Sequence, residues 1–204
     1  MRWDKLFDDL ESQLEHELSA EELDLEAEEE RLRLGRLAVR DRLVALHEAE
    51  GNGSEYSIVV TIGSGIRLVI HPVTFGRDWF SADLVGDAGA ASPARAQCIV
   101  PLASIAGVGL AAGQLGASLA PRDESPAHSS LSSRLGLPFV LRDLCRRRRP
   151  LDIVLVGGEL HGTLDRVGRD HVDLAVHDRG AVRREQNVRE YRLVPLAAVQ
   201  YVRL

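Results

Sequence analysis

The sequence predicts a mainly β protein with helices (α+β). Two small β units stand in tandem, each preceded by a helix, behind an acidic amphipathic helical arm. The first observation behind this is an internal repeat. Residues 65–78 read GIRLVIHPVTFGRD and residues 157–170 read GGELHGTLDRVGRD, each with a glycine eleven residues before a Gly-Arg-Asp triplet. Each unit then reaches a Val-Pro-Leu-Ala segment, at 100–103 and 194–197, followed by a β-branched residue, Ile105 or Val199. The second observation is periodicity, which changes from helical to alternating along the chain. The third is charge. Residues 1–30 hold 13 acidic residues against Arg2 and Lys5, whereas the remainder holds 23 arginines against 18 acidic residues. An acidic arm is thus joined to a mildly basic body.

The domains expected are the arm at 1–30, a helix and first β unit at 31–106, a Gly/Ala/Ser-rich linker at 107–129, and a helix and second β unit at 130–204. In the arm, Trp3, Leu6, Phe7, Leu10, Leu14 and Leu18 recur at helical spacing. Ser19 and Glu22 form a capping-box pattern for a second helix that runs to about Glu48, and Gly51-Asn52-Gly53 stops it. Strands follow at 56–62, 66–75, 79–85 and 98–100, with glycine-bearing turns between the first three. The second unit opens with a helix at 130–148, weakened at its start by Pro138 and stopped by Pro150. Its strands are 151–156, 159–167, 171–177, 190–194 and 199–202, with a charged loop at 179–189.

Composition narrows the class. Of 204 residues 45% are apolar and 4% aromatic, so the core is built mainly from Leu, Val, Ile and Ala. Two cysteines, Cys98 and Cys145, provide neither a disulfide framework nor zinc spacing. The start, MRWDKLFDDLE, is unlike a secretory leader, and no apolar run is long enough to span a bilayer, so a cytoplasmic location without membrane contact is expected. The 24 arginines against one lysine suggest a GC-rich genome.

A helix followed by five short strands resembles the Sm-like family, a small SH3-like barrel. The stretch Gly158-Glu159-Leu160-His161-Gly162-Thr163-Leu164 is similar to the segment in which a glycine lets the second strand bend. Asp170 and Asp173 stand near the positions of the family's RNA-binding loop, whereas Pro195-Leu196 occupies the place of its second RNA motif. The resemblance implies two tandem barrels. Over its length the chain also resembles an uncharacterised actinobacterial family, on Met1-Arg2-Trp3-Asp4-Lys5-Leu6-Phe7, Arg134-Leu135-Gly136 and Gly168–His171. Members of that family are sometimes labelled Fis-type regulators, yet a Fis-type reader ends in a basic helix-turn-helix and this sequence ends in strand.

For chemistry, no Gly-x-Ser-x-Gly elbow, Walker loop or dinucleotide fingerprint occurs, so a non-enzyme without cofactor is expected. His161, His171 and His177 share a unit with Asp165, Asp170 and Asp173, but a metal needs three or four converging ligands, and a solvated strand face accounts for the pattern. Arg142, Arg146, Arg147, Arg148, Arg149, Arg183 and Arg184 are candidate phosphate or nucleic-acid contacts, because guanidinium forks match phosphate oxygens. A helix C-terminus, where cations oppose the macrodipole, explains the same run. Trp3, Phe7, Leu10 and Leu14 form a candidate partner-helix face. The expected function is a non-catalytic adaptor that recognises a protein through the barrels or the arm. The alternative is an RNA- or DNA-associated regulator whose arginine surface is masked by the arm.

Overall fold

The computed structural model describes residues 21–51, 56–85, 96–121 and 131–204. The candidate helix face Trp3, Phe7, Leu10 and Leu14 lies outside them. The chain divides between Arg42 and Leu43 into two units. In the first, α1 (residues 21–36) is an exposed, acidic helix laced by Glu28–Arg31 and Glu30–Arg33 pairs one turn apart. The single helix expected to run to Glu48 breaks at 37–38 instead. Asp41 Oδ2 accepts the Ala38 N–H at 3.3 Å, which restarts the chain as α2 (Val39–Glu50). The buried Leu43, Val44 and Leu46 of α2 belong to the second unit.

Among its described residues the second unit holds ten strands: β1 (Ile58–Ile62), β2 (Arg67–Phe75), β3 (Trp79–Leu84), β4 (Gln97–Pro101), β5 (Ile105–Gly109), β6 (Pro150–Leu155), β7 (Gly158–Val167), β8 (His171–Val176), β9 (Glu190–Pro195) and β10 (Val199–Arg203). Between the fifth and sixth lie α3 (Ala112–Ser118) and α4 (Leu137–Arg146). β1, Ile-Val-Val-Thr-Ile, buries every second side chain, whereas the central strands β4, β6 and β10 bury nearly every residue. Within the stretch expected as linker, residues 107–109 complete β5 and 112–118 are helical. Pro138 does not weaken α4. It stands in the first turn, where its missing N–H is no loss.

The architecture corrects the sequence reading. The strands form one antiparallel sheet in the order β5-β1-β2-β3-β4-β10-β6-β7-β8-β9. Two closed barrels would need β4 to pair with β5 and β9 with β10. Instead β4 takes β10, while β5 and β9 each have a single neighbour. The sheet is open and uncurled, and the fold is a mixed α/β one. The tandem Sm-like/SH3-like barrels are therefore set aside. The physical reason is edge satisfaction: β4 completes its ladder on the other half of the chain rather than on its own.

The duplication itself is present in detail. Each half has the same internal order, β5-β1-β2-β3-β4 and β10-β6-β7-β8-β9. A bulge skips Val73 in β2 and Asp165 in β7, the same repeat position. Another skips Ala106 in β5 and Gln200 in β10. A Trp79 ring lies on Gly76 in the first hairpin, and a His171 ring lies on Gly168 in the second, so a side chain at either glycine would have to displace that ring. Leu102 N–H donates to Asp78 O at 2.9 Å, and Leu196 N–H donates to Asp170 O at 2.7 Å.

Two hydrophobic cores form, and they interlock. Val154 and Tyr201 of the second half pack into the first core, while Trp79 and Ile99 of the first half pack into the second. Asp78 also reaches across. Its Oδ1 accepts the Leu137 N–H at 2.7 Å at the start of α4, and Trp79 Nε1 donates to Leu135 O at 2.9 Å. Asp78 is thus a helix cap supplied from the other half. Asp78→Ala is expected to cost about 1 kcal/mol, read as a lower midpoint in urea with an unchanged slope. A midpoint shift of zero would show that the cap adds nothing.

Candidate functional site

The bulge at Asp165 organises the basic surface. A bulged residue turns its side chain out of the regular alternation. Asp165 receives Arg183 through both oxygens, with Nε at 2.9 Å, and Arg148 at 2.8 Å. Its hydrogen bond to Asp165 holds the Arg183 guanidinium above its ordinary pKa. Arg148 follows α4 in the left-handed region, φ 52°, a conformation more usual for glycine after a helix. Around this pair lies an open depression of about 630 Å3, lined by Arg148, Asp165, Arg166, Asp173, Arg183, Tyr191, Arg192 and Leu193. Four arginines against two aspartates leave it net positive.

The other expected arginines are spread and mostly occupied. Arg142 donates to the carbonyl oxygens of Val167 and Gly168. Arg146 and Arg147 both pair with Asp143, the latter at 2.7 Å. Burial alone would raise the Asp143 pKa, but hydrogen bonds from Arg146 and Arg147 hold it below the ordinary carboxylate value. Arg149 and Arg184 are exposed and make no ion pair among the described residues. Of the seven, then, Arg148 and Arg183 share one carboxylate and line the depression.

The depression borders β9, one of the two edge strands of the sheet. Tyr191 and Leu193 alternate on one face of that strand and are 59% and 63% exposed. Val194 turns the other way into the core. Arg192 pairs with Glu190 at 2.6 Å.

A second polar cluster lies across β10, β6 and β7. Asp152, 8% exposed, accepts His161 Nδ1 at 2.6 Å, Arg179 at 3.1 Å and Arg203 at 3.0 Å. Glu159 accepts Arg203 at 2.7 Å and also receives Arg179. Two carboxylates face two guanidiniums, so the group is balanced. Burial would raise the Asp152 pKa, yet hydrogen bonds from His161 and Arg203 and the charge of Arg179 hold it low. His177 is buried beside it, with its ring edge-on to His161 at 5.2 Å. Its Nδ1 lies 3.0 Å from the Asp178 carbonyl, which can only accept, and its Nε2 is hydrogen-bonded with the Thr163 hydroxyl at 2.9 Å. That hydroxyl is buried and committed to His177. His171 stands apart, paired with Asp170 at 2.8 Å. Among the described residues no three of His, Cys, Asp and Glu are grouped to hold a metal ion. Burial pushes the Cys98 thiol up to about 12.

Sequence reasoning missed Tyr191, Arg192 and Leu193, whose apolar, charged, apolar alternation was read only as strand. It also missed Asp152, the lone carboxylate in the apolar run LDIVLV.

No family model matches the chain, and neither a curated protein nor a solved structure does. The resemblances to the Sm-like and actinobacterial families are therefore withdrawn, since neither the comparisons nor the open sheet supports them. No helix among the described residues is long and apolar enough to cross a membrane.

Proposed function

We propose that this chain is a non-catalytic binding protein that recognises an extended protein segment along the free edge of β9. The observation that carries the reading is the pair Tyr191 and Leu193, large apolar side chains exposed on one face of an edge strand. An unpaired edge offers backbone donors and acceptors to an added strand, and alternating side chains on it select what pairs there. The adjoining depression, net positive around Arg148, Arg166, Arg183 and Arg192, favours acidic residues in the bound segment. The alternative, nucleic-acid binding through the arginine run, is less favoured. Arg142, Arg146 and Arg147 lie outside the depression and already have partners within the chain, so the run does not present one continuous basic surface.

The test is a displayed peptide library selected on the full chain and counter-selected on Leu193→Asp. Selected peptides are expected to alternate apolar residues and to bind Leu193→Asp about tenfold more weakly or worse. The substitution should leave stability within about 0.5 kcal/mol, because the side chain is exposed. Single-stranded RNA and DNA serve as competitors. Salt-sensitive nucleic-acid binding that is lost in Arg149→Glu/Arg184→Glu, with no peptide selected, would replace the protein reading with the nucleic-acid one.

A further inference from the structure

The joint between the two halves shows what an edge of the β9 kind does when it is covered. At that joint β4 lies beside β10, with Ile99 opposite Val202 and Cys98 opposite Arg203. Aligning Val100-Pro101 with Val194-Pro195 places Leu193 at the position of Ile99 and Arg192 at that of Cys98. Aligning the bulged Ala106 with Gln200 places Val108 at the position of Val202 and Gly109 at that of Arg203. β9 is therefore the second half's version of β4, and β5 is the first half's version of β10.

The two versions differ in what covers them. Ile99 is 3% exposed, whereas Leu193 is 63% exposed and still apolar. Val202 is buried, whereas Val108 is half-buried. Each residue of β10 from Val199 to Val202 is buried, whereas Ala106 and Gly109 of β5 are exposed. A chain that joins a β4-type edge to a β10-type edge inside itself thus presents one more of each at the ends of its sheet.

We propose that β9 of one copy pairs antiparallel with β5 of a second copy, repeating the internal joint with Leu193 opposite Val108 and Arg192 opposite Gly109. This rests on the reading of β9 as a docking edge and names its occupant. The contact is head-to-tail, so every copy added leaves the same two edges free, and growth stops only where the rotation per copy closes a ring. Gly109 suits the crossing. A side chain there would touch only Val59, at ordinary van der Waals distance, so the position admits a residue that reports on what faces it.

The experiment is sedimentation velocity on the full chain, from low micromolar to about 100-fold higher concentration. Association is expected, as a closed species or as a ladder of sizes. Leu193→Asp should raise the concentration needed by about tenfold or more. Gly109→Arg, which sets a second guanidinium against Arg192 of the next copy, should raise it by about fivefold. The double variant Gly109→Arg/Arg192→Glu should restore it. The two positions lie on opposite edges of one chain, so only contact between copies can produce that rescue, and a variant that merely misfolds would not be rescued. A chain monomeric throughout overturns the proposal. So does association that responds to Leu193→Asp but not to Gly109→Arg, since that would be β9 meeting β9. A monomer that still captures the selected peptides leaves the docking-edge reading intact while removing the second copy. A monomer that captures none removes both.

Discussion

Gly162→Ala is expected to lower the unfolding free energy by about 3 kcal/mol, seen as a fall in Tm of about 6–12 °C. Gly162 lies in β7 opposite Val176 of β8. A β-carbon there would fall far inside contact of the Ala175 carbonyl oxygen, close to its carbonyl carbon and 3.2 Å from Leu174 Cδ1. The first two atoms are strand backbone and cannot swing aside as a flexible side chain does. Relief would require β8 to move away, which breaks the ladder and loosens the buried Leu174 and Val172 behind it. Gly157→Ala is the control. Nothing lies within 4 Å of its β-carbon, so its effect should stay within about 0.5 kcal/mol. Equal effects at the two positions would show that the close approach of β7 and β8 is not what Gly162 serves.

Asp152→Ala is expected to cost about 3 kcal/mol, because it leaves Arg203 and His161 facing a buried gap without their carboxylate. Glu159 still receives Arg203 and Arg179, which keeps the loss from being larger. The pH dependence follows from sign. The folded-state pKa of Asp152 is depressed. Its contribution is therefore present above the ordinary carboxylate pKa of about 4 and is lost as pH falls through the lower folded value. Urea unfolding of the natural chain and of Asp152→Asn should differ most near neutrality and converge in acid. A difference that stays constant from neutral to acid pH would place the loss in packing rather than charge.

Much of the local structure was legible. Nine strands could be placed because β-branched residues and Gly-Arg-Asp turns mark them, but β5, Ile-Ala-Gly-Val-Gly, was not, since its glycines read as linker. The repeat was legible because it is constrained twice over. Gly76 and Gly168 each lie beneath a ring, and Pro101 and Pro195 each precede a single 3-10 turn. The pairing of β4 with β10 was not legible. Alternation says which face of a strand is buried, and nothing in it says which strand lies alongside. A half that closes on itself and a half that continues into its neighbour share the same local pattern. The candidate site failed for a related reason. The arginine run was conspicuous by its charge, yet Asp143 and Asp165 neutralise much of it, and Asp165 reaches Arg183 from 18 residues away. The Asp152 cluster draws on β6, β7, β10 and the loop bearing Arg179, so no window of sequence contains it.

The place of β10 in the sheet bears on how the chain is made. β10 lies between β4 and β6, although the ribosome releases it after the nine other strands. A nascent chain can assemble β1 to β5 into their half while β4 still exposes the edge that β10 will cover. Until Val199–Arg203 emerges, Ile99 waits without the strand that pairs with it. Synthesis thus passes through an interval with a short apolar edge open, the state in which chains pair wrongly with one another. Slow translation through the last strand would lengthen that interval, and a chaperone that shields β4 would act there.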